Sequence, residues 1–188
     1  MYQLPIVIIG PMCSGKTSVA KVLAKTLTLP RYPLDSLRWY YYLKFGLDLS
    51  EDDVKKQGNF EDLLKFRKSY DLLVVEHALK EFRNGILEFG ASHSYWEENG
   101  RLNKAKTLLS ETRNIFLLLP TSNPKVNVSI LNNRLAFRNK LPDLRILQSV
   151  NRKMIIGKSN FELAKHIIYT EGMSPDQIAE TITLKLKQ

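Results

Sequence analysis

Residues 10–20 read GPMCSGKTSVA and follow directly on LPIVII, residues 4–9. The apolar run is short, rich in β-branched side chains and ends at a glycine, which predicts a buried strand. Val19, Ala20, Leu23, Ala24 and Leu27 then recur at helical spacing, which predicts a helix from Lys16 to about Thr28, ended by Pro30 and Pro33. Between strand and helix lies Gly10-x-x-x-x-Gly15-Lys16-Thr17, the spacing of a phosphate-binding loop. With glycine at roughly 7% of residues, such a match arises by chance in on the order of one chain in a hundred at this length, and the strand–helix context lowers that further.

Each position has a physical reason. The glycines let the backbone curl so that successive N–H groups point inward, and the N-terminus of the following helix adds its positive end. Lys16 brings a compact positive charge to the β and γ phosphates, and Thr17 offers a hydroxyl to Mg²⁺. The candidate ATP-binding residues are therefore Gly10, Met12, Cys13, Ser14, Gly15, Lys16, Thr17 and Ser18, with Lys16 also a catalytic candidate and Thr17 a metal ligand. The plainer reading is an ordinary glycine turn ahead of a helix.

Further along, a helix with aromatic residues is expected after Asp35, through LRWYYYLKF. Glu61 to Phe82 reads as a longer helix with Leu64, Leu72, Val75, Leu79 and Phe82 on its apolar side. NGILEFGAS and RNIFLLLPT are two further buried strands bounded by breakers, and HIIYTEG reads as the last strand. Ser174, Pro175 and Gln177 form a helix-start signature, followed by a buried stripe of Ile178, Ile182 and Leu186. The stretch from Thr121 to about Lys158 is rich in Asn, Lys and Arg with a weak apolar period, and reads as a mobile cover with one or two helices. Strands alternating with helices predict an α/β fold: a parallel sheet of about five strands with helices on both faces. A single domain over residues 1–188 is expected.

Composition narrows the classes. The chain is 44% hydrophobic and 25% charged, and has no apolar run of membrane-spanning length. Cys13 is the sole cysteine, so no intramolecular disulfide can form; this accords with a reducing cytoplasm, the expected location. The net charge of +9 attracts anions such as nucleotides, phosphorylated metabolites or nucleic acid, unless it is simply a solvated basic face. No N-K-x-D guanine-reading motif is present, which argues against a GTPase, and neither an RNA-binding aromatic motif nor a helix-turn-helix signature is present, so nucleic acid is not the expected partner. His77, His93 and His166 lack metal-ligand spacing.

Taken in order, these features resemble shikimate kinase and its relatives, the small P-loop metabolite kinases. That family runs loop, helix, a short strand with Asp-x-Asp, a helix bearing Phe-Arg, a strand ending in a Gly-Gly-Gly turn, and an arginine-bearing lid. Here the loop is followed by YPLDSL with Asp35, KFRKS with Phe66 and Arg67, GILEFGAS with Gly90, Ala91 and Ser92, and the basic segment NNRLAFRNK. The resemblance implies a three-layer kinase fold that uses ATP and Mg²⁺ to phosphorylate a hydroxyl of a small polar, anionic metabolite, as a monomer or homodimer. It implies that Asp35 assists the Mg²⁺ shell or accepts the acceptor's proton, and that Arg67 grips the acceptor's negative group. Gly90, Ala91 and Ser92 would line the acceptor's turn, and Arg134, or else Arg138, would be the lid arginine at the transferred phosphate. The plainer readings are a helix N-cap for Asp35 and surface arginines for Arg67 and Arg134.

Departures from the pattern bear on the acceptor. Leu37 stands where the second Asp of Asp-x-Asp would fall and accepts neither a proton nor a hydrogen bond. Gly-Gly-Gly has become Gly90-Ala91-Ser92, and the later substrate arginine has only Arg152 and Lys158 nearby. Shikimate itself is therefore not the expected acceptor. A nucleoside or nucleotide kinase of the same fold, with Trp39 to Tyr42 stacking on a base, is the alternative. A non-catalytic nucleotide- or nucleic-acid-binding module is a second one.

Overall fold

The computed structural model describes residues 3–46, 60–137 and 144–187, with the backbone alone for residues 60–65. Leu64's side chain and Arg138 lie outside the described residues. The strands are β1 (Ile6–Ile9), β2 (Arg31–Pro33), β3 (Ile86–Glu88), β4 (Asn114–Leu119) and β5 (His166–Tyr169). They form one sheet in the order β2-β3-β1-β4-β5, with every pairing parallel. The helices are α1 (Lys16–Leu27), α2 (Leu34–Lys44), α3 (Phe60–Glu81), α4 (Asn99–Leu108), α5 (Pro124–Ala136), α6 (Leu144–Ile156), α7 (Ser159–Leu163) and α8 (Pro175–Lys185).

β1 occupies the middle of the sheet, and all four of its residues are fully buried. Successive side chains of a strand point to opposite faces, and both faces here are covered. Ile6 and Ile8 pack with Val19, Ala20 and Leu23 of α1 and with Ile178 and Ile182 of α8. Val7 and Ile9 pack with Tyr41 and Tyr42 of α2, Val74, Val75 and Ala78 of α3, and Leu102 of α4. Two of the aromatics in WYYY are thus core, whereas Tyr40 is exposed.

Two helix boundaries differ from the sequence reading. α1 stops at Leu27 because Thr28 turns left-handed (φ 53°) and returns its N–H to Ala24 and Lys25 carbonyls, not because of the prolines. Pro33 instead ends β2, an edge strand where a missing N–H is tolerated. α2 begins one residue before Asp35, with Pro33 at the N-cap position and no side-chain cap. Asp35 is therefore in the first turn, where its charge favours the positive helix end, and is not a cap.

The stretch predicted as a cover contains two helices, α5 and α6, packed on each other. The weak apolar period belongs to α5, where Asn127 takes a buried position; α6 is strongly amphipathic despite its buried Asn151. Asn127 is buried and accepts from Thr121 N at 2.7 Å, and Asn151 is fully buried. α4, unread in the sequence, buries only Leu102 and Ala105 of its ten residues. The start of α8 is as expected, with Ser174 and Gln177 capping each other's backbone N–H at 3.3 and 2.8 Å. Among the described residues, no helix is long and apolar enough to cross a membrane.

Candidate functional site

In an open parallel sheet, ligands bind at the carboxyl ends of the strands where the chain order reverses. The chain proceeds from β1 to β2 and β3 on one side, then to β4 and β5 on the other. At that place lies a cleft of about 320 Å³, lined by Met12 to Ser18, Asp35, Glu88, Ala91 and Arg134. This is at the lower end of small-molecule sites.

The loop after β1 forms one wall. Gly10 (φ 148°), Cys13 (φ 62°) and Gly15 (φ 94°) all take positive φ, which produces the curl. A β-carbon at Gly10 would fall 2.8 Å from the Leu118 carbonyl oxygen and from Ser14 Oγ, so the position has no room for a side chain. Lys16 Nζ donates to the carbonyls of Gly10 (2.9 Å) and Pro11 (2.8 Å), which keeps its charge at the mouth of the curl. Ser14 Oγ is buried with no protein hydrogen-bond partner among the described residues. A buried hydroxyl in that state, beside inward amides, fits a site built for an anionic ligand.

The sequence reading missed Glu88, the last residue of β3. Its nearly buried carboxylate accepts from Thr17 Oγ1 at 2.5 Å through Oε1 and pairs with Arg31 Nη1 through Oε2. Its signal was there: a carboxylate closing the buried strand ILE before FG. Hard oxygen donors suit Mg²⁺, and Thr17, Glu88 and the exposed carboxylate of Asp35 all face the same cleft. The donor set therefore fits that ion.

The remaining predicted residues divide. Ala91 lines the cleft and Gly90 lies against Asp35. Ser92 turns away and accepts from Arg38 Nη2 at 3.0 Å. Arg134 lines the cleft and donates from Nη1 to the Cys13 carbonyl at 3.4 Å. Arg67 is not among the lining residues; its guanidinium stands 5.6 Å from the centroid of the Trp39 ring.

Behind Asp35 and Ser92 is a buried polar cluster that no motif announced. Arg38 Nη2 donates to Asp71 Oδ1 (3.1 Å), and lies 3.3 Å from His93 Nε2 and 3.4 Å from Asp35 Oδ1. Burial, partly offset by Asp71, holds the His93 pKa down at about 4. Burial alone would raise the Asp71 carboxyl, but the positive charges that His93, Arg38 and Lys68 can carry outweigh it and hold the group below the ordinary carboxylate range. On the opposite wall, Asn151 of α6 accepts from Met12 N at 2.8 Å and donates to Asn132 Oδ1 of α5 at 3.2 Å. This ties both cover helices to the phosphate loop.

No family model matches the chain. Its sequence is 28% identical to a cytidylate kinase from Sulfurisphaera tokodaii over 189 residues, covering 94% of this chain and 92% of that protein. The shikimate kinase of Acinetobacter baumannii, solved in complex with shikimate, superposes with a TM-score of 0.66 at 17% identity, over 97% of this chain and 92% of that one. The shikimate kinase of Aquifex aeolicus gives a TM-score of 0.57 at 21% identity, over 98% and 96%. The five-stranded parallel sheet with helices on both faces is the shikimate kinase-like fold of the P-loop kinases.

Proposed function

We propose that this protein is an ATP-dependent kinase that transfers the γ-phosphate to a small anionic acceptor held at the Asp35–Ala91 end of the cleft. The observation that carries the reading is that one cleft joins two kinds of wall. Met12 to Ser18, with Glu88 and Arg134, supply amides, two cationic side chains and hard oxygens; opposite them stands the exposed carboxylate of Asp35. Phosphoryl transfer needs positioning and charge neutralisation more than covalent chemistry, and these groups supply both.

In this reading the loop amides and Lys16 bind the β and γ phosphates of ATP, with Lys16 exchanging its carbonyl partners for phosphate oxygens. Thr17 and Glu88 would hold Mg²⁺, which would neutralise charge on the phosphates. Arg134, already on the loop's carbonyl at Cys13, closes over the γ-phosphate. Asp35 takes the proton from the acceptor oxygen as it attacks phosphorus. The acceptor lies against Ala91, with the Arg38 guanidinium behind that wall, 3.4 Å from Asp35 Oδ1.

The acceptor oxygen belongs to a hydroxyl of a small polar metabolite. A nucleoside monophosphate, whose acceptor is a phosphate oxygen, is a second reading, favoured by the likeness to a cytidylate kinase along 94% of the chain. Acceptor-dependent ADP release from Mg·ATP, measured over hydroxy acids, sugars, nucleosides and nucleoside monophosphates, separates the two. Turnover on one class, abolished in Lys16→Ala, names the acceptor. A flat panel from a protein that still binds ATP overturns the kinase reading in favour of a binding module.

A further inference from the structure

We infer that Lys68 is a positioning residue that clamps the acceptor-side wall of the cleft, the turn from Gly90 to Trp96, onto α3. The inference rests on the kinase reading for what the wall does, but not for the clamp itself. α3 presents Lys68 and Asp71 three residues apart, on one face. Lys68 Nζ donates to the carbonyl of Ser92 at 2.5 Å and to that of Tyr95, and stands 3.7 Å from the centroid of the Trp96 ring. An ammonium has three donors and no acceptor, so two carbonyls and an aromatic face occupy it fully.

The clamp reaches the cleft through Ser92. Its carbonyl is held by Lys68 and its hydroxyl by Arg38 Nη2, which also bonds Asp71 and lies 3.4 Å from Asp35 Oδ1. Asp35 and Ala91 are the cleft's lining on this side. The far end of the turn is fixed separately: Ser159 Oγ accepts from Trp96 N at 3.1 Å and donates to the Ser94 carbonyl at 2.8 Å. Lys68 is half-buried, and this burial brings its pKa down to about 8 against the favourable pull of Asp71. An apolar residue there would avoid that cost but leave the Tyr95 carbonyl without its lysine donor and the Ser92 carbonyl with only the long bond from Tyr95 N–H, at 3.4 Å. Retaining the lysine makes sense if the turn must stay in one place.

Lys68→Met keeps an unbranched stem against Trp96 and removes every N–H donor. Backbone amides of residues 91–96 are expected to exchange hydrogen at least about 10-fold faster in this variant, with those of residues 10–18 unchanged. The acceptor KM is expected to rise about 10-fold with the dissociation constant for Mg·ADP unaltered. Lys68→Gln, which retains a donor, is expected to recover part of both effects. Unchanged exchange at 91–96, or an equal loss for acceptor and nucleotide, overturns the clamp. Should neither variant fold, the wild-type exchange decides: protection of the turn comparable to α3 supports the clamp, and free exchange contradicts it. A wild type that turns over no acceptor removes the kinase reading, while the exchange result still decides the clamp.

Discussion

The Asp35 carboxylate rests against the bare α-carbon of Gly90: a β-carbon there would fall 2.0 Å from Asp35 Oδ1 and 2.5 Å from Asp35 Cγ. Gly90 has φ −61°, which any residue adopts, so the position requires space and not backbone freedom. Gly90→Ala must push the carboxylate aside, and because that side chain is exposed it can swing away without unfolding anything. The expected outcome is a fall in kcat of roughly 10- to 100-fold, as for a catalytic group misplaced by about 1 Å, with Tm nearly unchanged. Steady-state kinetics beside a thermal melt check it; full kcat in the variant takes Asp35 out of the reaction.

Glu88 joins two elements of the site, touching Thr17 with one oxygen and Arg31 with the other. Glu88→Gln keeps the shape and removes the charge that a divalent cation needs. The Mg²⁺ concentration at half-saturation of nucleotide binding is expected to rise at least about 10-fold. A fluorescent ADP analogue titrated at varied Mg²⁺ reads this without turnover, and an unshifted midpoint removes Glu88 from the ion's surroundings.

Asn151 is the fully buried link between the cover helices and the loop, bonded to Met12 N at 2.8 Å. Asn151→Ala leaves that N–H and Asn132 Oδ1 without their partner. The expected cost is about 1–3 kcal/mol in urea unfolding, together with weaker binding of Mg·ADP. A variant that loses stability but binds ADP as before restricts Asn151 to a structural role.

Acid should destabilise the fold through His93. Its folded pKa is held at about 4 against an ordinary 6.5, so between these values the unfolded chain binds the extra proton. Stability is therefore full above pH 6.5 and falls as pH drops toward 4, by at most about 3 kcal/mol from this group. Asp71, whose folded pKa is also depressed, adds loss in the same direction at lower pH. His93→Gln is expected to flatten the decline between pH 6.5 and 4 in denaturant titrations; parallel curves for the two proteins count against it.

What the sequence discloses about this site is what is local. The phosphate loop is one contiguous spacing, and the strand before it is a β-branched run that can only be buried, so both are legible in residues 4–20. Glu88 is not, because its contact with Thr17 spans 71 residues and exists only once β3 pairs with β1. Arg38, Asp71 and His93 come from three separate segments and meet only when α2, α3 and the turn after β3 pack together. The first cover helix resists reading for a related reason: buried Asn127 interrupts the apolar period that would mark α5. Arg67 is matched by a Phe-Arg pair in the sequence, yet its guanidinium is directed to Trp39, a neighbour no local pattern specifies.

The most direct test is calorimetric titration of Mg·ADP into the folded protein and into Lys16→Ala. The account predicts saturable, one-to-one binding to the wild type, and binding at least about 10-fold weaker, or ~1.4 kcal/mol, in the variant. Wild-type protein of intact circular dichroism that takes up no ADP would contradict it.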